Sequence, residues 1–106
     1  MLQPSQSKFA RYVGLLITHI YNEGYEITFG DAFAHDGHCE DSFHYKRLAI
    51  DLNLFKDGTF LTTTKDHEIF GEFWESLDSL CTWGGRRDDG NHYSFGEKYE
   101  YYRRGY

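Results

Sequence analysis

Leu48, Ile50, Leu52 and Leu54 alternate with Arg47, Ala49, Asp51 and Asn53, and a period of two of this kind describes a strand with one face in a core. The other face carries a carboxylate, Asp51, beside a small residue, Ala49, and His44 stands just upstream. An imidazole and a carboxylate held together are two candidate ligands for one divalent ion such as zinc. A catalytic zinc site takes three protein ligands plus a water, so a third must come from elsewhere in the chain. The candidate is His92, which follows the glycine-rich run Trp83-Gly84-Gly85-Arg86-Arg87-Asp88-Asp89-Gly90-Asn91 and has Asp89 three residues before it.

With 106 residues the chain makes one domain, 1–106, able to bury roughly two-thirds of its unfolded surface in a single modest core. A net charge of -6, with the eleven Lys and Arg scattered, argues against a nucleic-acid partner, which would call for a basic face. Nine Tyr, nine Phe and two Trp suit a small core and equally a cleft that grips a peptide or a sugar. Two cysteines, Cys39 and Cys81, are too few for a disulfide-built scaffold, and free thiols are the expectation. Residues 1–7 lack a basic segment followed by an apolar one, and no apolar run is long enough to cross a bilayer. Synthesis in a cytoplasm without membrane insertion is therefore expected.

Phe9, Tyr12, Val13, Leu16, Ile17 and Ile20 recur at helical spacing, with Ser5 or Ser7 available as N-cap and Gly24 as the stop. Tyr25-Glu26-Ile27-Thr28-Phe29 predicts a first strand, and Lys56-Asp57-Gly58-Thr59 an Asp-Gly hairpin after the strand through Asp51. Thr64 or Asp66 can cap a second helix, whose apolar stripe reads as Ile69, Phe73, Leu77 and Leu80 flanked by Phe70 and Trp74. After the glycine turn, residues 92–95 predict a short strand beside the one carrying Asp51. The loop holding His35, His38 and Cys39 gathers metal-friendly side chains, but their spacing follows no zinc-finger pattern. A solvated loop at a cleft rim is the expectation for it.

In this order the motifs resemble the zinc D,D-carboxypeptidase and L-alanyl-D-glutamate endopeptidase family of peptidoglycan peptidases, in particular its short phage endolysin branch. Ser42-Phe43-His44 is similar to the family's S-x-H, Ala49-Ile50-Asp51-Leu52 to A-x-D-L, and Asp89-Gly90-Asn91-His92 to D-x-x-H after a W-G-G turn. The resemblance covers about residues 7–93 and leaves 96–106 as a C-terminal tail. It implies an α+β fold: a small single domain with a short, mainly antiparallel sheet flanked by two or three helices, and zinc in a cleft over the sheet. It further implies zinc held by His44, Asp51 and His92, with Asp89 taking a proton from the attacking water and passing it to the leaving amine.

Ser42, Arg47 and Arg86 are the candidates for holding substrate. The implied activity is cleavage of a peptidoglycan stem peptide between L-alanine and D-glutamate. D,D-carboxypeptidase action and a non-catalytic wall-peptide-binding module are the alternatives, and an acidic interaction protein without metal is a remote third. A monomer made in the host cytoplasm and reaching the cell wall through a holin is the implied setting. Three departures from the family pattern stand out: Arg47 where many members have glycine, Ser94 where many have glutamate, and Ala34 where a substrate-binding arginine is usual.

Overall fold

The computed structural model describes residues 3–30 and 47–96. In chain order the elements are helix α1 (Gln3–Asn22), strands β1 (Glu26–Phe29), β2 (Ala49–Lys56) and β3 (Thr59–Leu61), helix α2 (Glu68–Leu77), and strands β4 (Cys81–Trp83) and β5 (His92–Phe95). Short 3₁₀ turns precede α2 (Lys65–His67) and join β4 to β5 (Gly84–Arg87). Every strand pairing is antiparallel, the sheet runs β1-β2-β5-β4, and β3 pairs β2 beside β5. This is the compact α+β domain that the patterning predicts. Among the described residues no helix is long and apolar enough to cross a membrane.

The alternation in β2 sorts its side chains as read from the sequence. Leu48, Leu52 and Leu54 are buried with Phe9, Val13, Leu16 and Ile20 of α1 and with Phe70 and Trp74 of α2. Helix α1 begins at Gln3, so Ser5 and Ser7 lie inside its first turns and are not N-caps. Pro4 falls within that first turn, where a missing N–H costs no intrahelical bond. The stop is Gly24: at φ +88° it lets Tyr25 donate to the Ile20 carbonyl and Gly24 to that of Tyr21, the Schellman pattern that satisfies helix-end carbonyls.

The cap before α2 is Thr63, one residue ahead of the sequence expectation. Its Oγ1 accepts the Asp66 N–H at 3.2 Å, and the Asp66 carboxylate accepts the Thr63 N–H and hydroxyl at 3.2 and 2.8 Å, a reciprocal capping box. The helix then turns Phe70 and Trp74 fully inward and leaves Ile69 exposed, while Leu80, exposed as well, falls beyond its end, so the buried stripe is centred on the residues read as its flank. Trp83 sets that phase. Its indole lies where a Cβ on Gly71 would be, 2.1 Å from the ring, and only the helix face bearing Gly71 can meet it. Trp74 Nε1 bonds the Thr82 and Ser94 carbonyls at 3.2 and 3.0 Å, tying α2 to both β4 and β5. Asp57 and Gly58, at φ +52° and +79°, form the two-residue hairpin turn that an Asp-Gly pair favours.

Candidate metal centre and the cleft beside it

Strand pairing sets Asp51 of β2 opposite His92 of β5, so both side chains leave the sheet on the face away from the helices. His92 Nδ1 lies 3.3 Å from Asp51 Oδ1, with His92 buried and Asp51 partly open. The flanking backbone is locked on both sides, by Gly30 N–H to Asp51 O at 2.8 Å and Leu52 N–H to Asn91 O at 2.9 Å. Gly30 has no side chain to crowd the carboxylate; a Cβ there would sit 3.0 Å from that of Asp51. Zinc bonds of about 2.0–2.1 Å place two ligand atoms of a tetrahedron about 3.3–3.4 Å apart, so these two donors fit adjacent corners of one site.

Glycines deliver His92 to this position. The Asp89 N–H donates to Gly84 O at 3.0 Å and the His92 N–H to Asp89 O at 3.1 Å. A Cβ on Gly84 would meet the Asp89 carbonyl at 2.4 Å and the His92 Cβ at 2.8 Å. Backbone carbonyls cannot swing away as a flexible side chain can. Gly84→Ala should therefore displace Asp89 and His92 together and cost about 1–3 kcal/mol; a melting curve checks it, and an unchanged Tm would show that the turn yields freely. Asp88 closes the 3₁₀ turn in the left-handed region, φ +62°, its N–H returning to Gly84 and Gly85. Its neighbour Asp89 points outward, 45% exposed, with Arg87 Nη2 3.6 Å from its carboxylate.

Among the other candidates, His44 and Ser42 lie outside the described residues, as do Ala34, His35, His38, Cys39 and residues 97–106 of the tail. Among the described residues no three His, Cys, Asp or Glu side chains are grouped to hold an ion; Asp51 and His92 are the two candidate ligands that are described. Arg47 adopts φ +57°, the conformation that favours glycine. It borders a groove with Phe9, Val13, Phe29 and Ile50 on the helix side of the sheet, the side opposite Asp51. Arg86 pairs with Glu75 of α2 at 2.7 Å and lies 5.8 Å from the centre of the Trp83 ring. Glu75 also accepts the Trp83 N–H, so this pair fastens the glycine turn to α2. Ser94 is fully buried and donates to Thr82 O.

One residue of the site region escaped the sequence reading. His67 is 3% exposed, and its Nδ1 lies 2.8 Å from the Tyr93 hydroxyl. Burial lowers its pKa to about 4, against a weaker opposing pull from Asp66, and raises that of Tyr93. The spacing 67, 70, 74 was the available signal, since it puts His67 on the face of Phe70 and Trp74. His67 borders a cleft of about 180 Å³ that opens where β3 and β5 separate along β2, with Asn53, Phe60, Thr62, Asp88 and Asp89 around it. The cleft thus reaches from the β2–β3 hairpin to the carboxylate proposed for proton transfer. Against known families, curated proteins and solved structures, the chain finds no match.

Proposed function

We propose that the chain is a zinc-dependent hydrolase of peptidoglycan stem peptides, cutting between L-alanine and D-glutamate. The observation that carries this reading is the 3.3 Å approach of His92 Nδ1 and Asp51 Oδ1 across the β2–β5 pairing, the spacing of two ligands on one tetrahedral ion. His44 supplies the third ligand in this reading. When bound, zinc polarises the scissile carbonyl and lowers the pKa of water. Asp89, held by the backbone bonds of the glycine turn and open to solvent, takes the proton of the attacking water and returns it to the departing amine. Its place on the cleft rim leaves room for substrate beside it. The protein would act on the wall after holin-type passage through the inner membrane.

The test is mass analysis of muropeptides after digestion of purified walls, run with zinc-loaded protein and with protein stripped by EDTA. Loss of the L-alanyl bond in the first and not the second is expected; release of terminal D-alanine alone would make the chain a D,D-carboxypeptidase, and intact muropeptides with bound zinc would make it a binding module. Stripping should also lower the melting temperature. A ligand at a hundredfold excess over Kd that binds only the native state adds about 2.7 kcal/mol, and an unchanged Tm would count against the metal centre.

A further inference from the structure

The cleft beside Asp89 has a composition of its own. On the face that carries Asp51 and His92, β2 continues with Asn53 and Phe55, and Phe60 pairs opposite Phe55 across the hairpin. The two rings stack, centroids 5.1 Å apart, while Phe60 stays 52% exposed and borders the cleft. Around the rest of the cleft stand neutral donors and acceptors, among them Asn53, Thr62 and Asn91, together with the carboxylates of Asp88 and Asp89. His67 adds a polar edge from below: its Nδ1 is taken by Tyr93, and its Nε2 has no hydrogen-bond partner among the described residues. A flat ring beside a set of mixed donors and acceptors suits a pyranose, whose C–H face stacks on an aromatic and whose hydroxyls both give and accept hydrogen bonds. A volume of about 180 Å³, below the roughly 300–1,000 Å³ of drug-sized sites, suits one such ring. A small cation fits less well, because Arg87 lies beside Asp89 and most of the lining is neutral.

We propose that this cleft is a sugar subsite, seating one N-acetylated pyranose of the glycan strand against Phe60. The inference rests on the reading of the chain as a stem-peptide hydrolase, and it sharpens the choice of bond. In peptidoglycan the L-alanine is joined through a lactyl group to an N-acetylated amino sugar. The sugar therefore lies two residue-length units, about 7 Å, from the L-alanyl bond. Asn53, at the cleft, lies two strand residues beyond Asp51, also about 7 Å. A D-alanyl bond at the far end of the stem would leave this cleft without a role.

Titration of the ¹⁵N-labelled chain with N-acetylmuramic acid tests the subsite without requiring activity. Saturable shifts of the Thr62, Thr63, Thr64, Gly90 and Asn91 amides are expected, lost in Phe60→Ala and restored in Phe60→Tyr. Absence of saturation, shifts confined to other parts of the molecule, or saturation of these amides by tetramethylammonium and not by the sugar would each overturn it. A kinetic comparison separates the two readings. Wild type should cut a muramyl-L-alanyl-D-glutamyl peptide with a KM about three- to tenfold below that of the sugar-free peptide, and Phe60→Ala should erase the difference. If the sugar shifts those amides but neither peptide is cut, the subsite stands and the hydrolase reading falls. If both are cut with equal KM, the hydrolase stands and the subsite falls.

Discussion

Asp89→Asn is expected to lower turnover of the stem peptide by about 10²–10⁴-fold, the usual contribution of a positioned proton-transfer group. Bound zinc should stay near one per chain, because Asp89 is proposed to handle the proton and not the metal. The substitution keeps the side chain's size and leaves its backbone bonds to Gly84 and His92 intact, so a fall in turnover reports the lost base and not a collapsed turn. Asp51→Asn should instead remove metal and activity together. The comparison is Asp88→Asn: Asp88 sits at φ +62°, a conformation asparagine tolerates, so the turn keeps its shape, and turnover should stay well above that of Asp89→Asn. Metal analysis beside initial rates decides among these. If Asp88→Asn abolishes hydrolysis while Asp89→Asn leaves it unchanged, the motif register is off by one and Asp89 is not the base.

Where the site could be read from the sequence, it could be read because strand parity and glycine chemistry are local. Alternation placed Asp51 opposite the leucines, and a short strand at 92–95 was enough to expect His92 beside it; the pairing of these two residues follows from both. The Asp-Gly turn and the Gly24 stop were equally legible, since each demands a positive φ that few residues accept. The phase of α2 was not. Ile69 and Phe70 are both apolar, and the choice between them depends on Trp83, which reaches Gly71 from a strand outside the helix. Likewise the cap moved to Thr63 because Thr64 Oγ1 is used elsewhere, accepting the Gly90 N–H at 3.2 Å. That contact spans the chain and leaves no mark in local sequence. Arg47 and Arg86 were named as substrate holders because Ala34 stands where the resembling family carries an arginine, and their surroundings, a groove on the helix side and a pair with Glu75, depend on packing that local sequence does not encode.

His67 was invisible for a related reason, since a lone histidine at a helix start reads as solvent-facing until Tyr93 is brought over it. Its burial predicts a large acid effect. The folded pKa of about 4 lies below the ordinary 6.5, so the unfolded chain binds the proton more readily than the native one. The stability this neutral imidazole contributes is fully present above pH 6.5 and is lost progressively as pH falls to about 4. Across that window the loss should be about 3 kcal/mol, and the Tyr93 hydroxyl, protonated throughout, cannot offset it. Asp78, whose carboxyl is held below its usual value by the Leu80 N–H and the Tyr12 hydroxyl, also loses its contribution on acidification, but mainly below pH 4. Urea unfolding at pH 7 and pH 4 should therefore show the wild type losing about 3 kcal/mol more than the double variant His67→Phe/Tyr93→Phe, which removes both polar ends of the pair without leaving either alone. Parallel losses in the two proteins would mean that His67 already accepts its proton in the folded state near pH 6.5, and that water reaches the floor of the cleft.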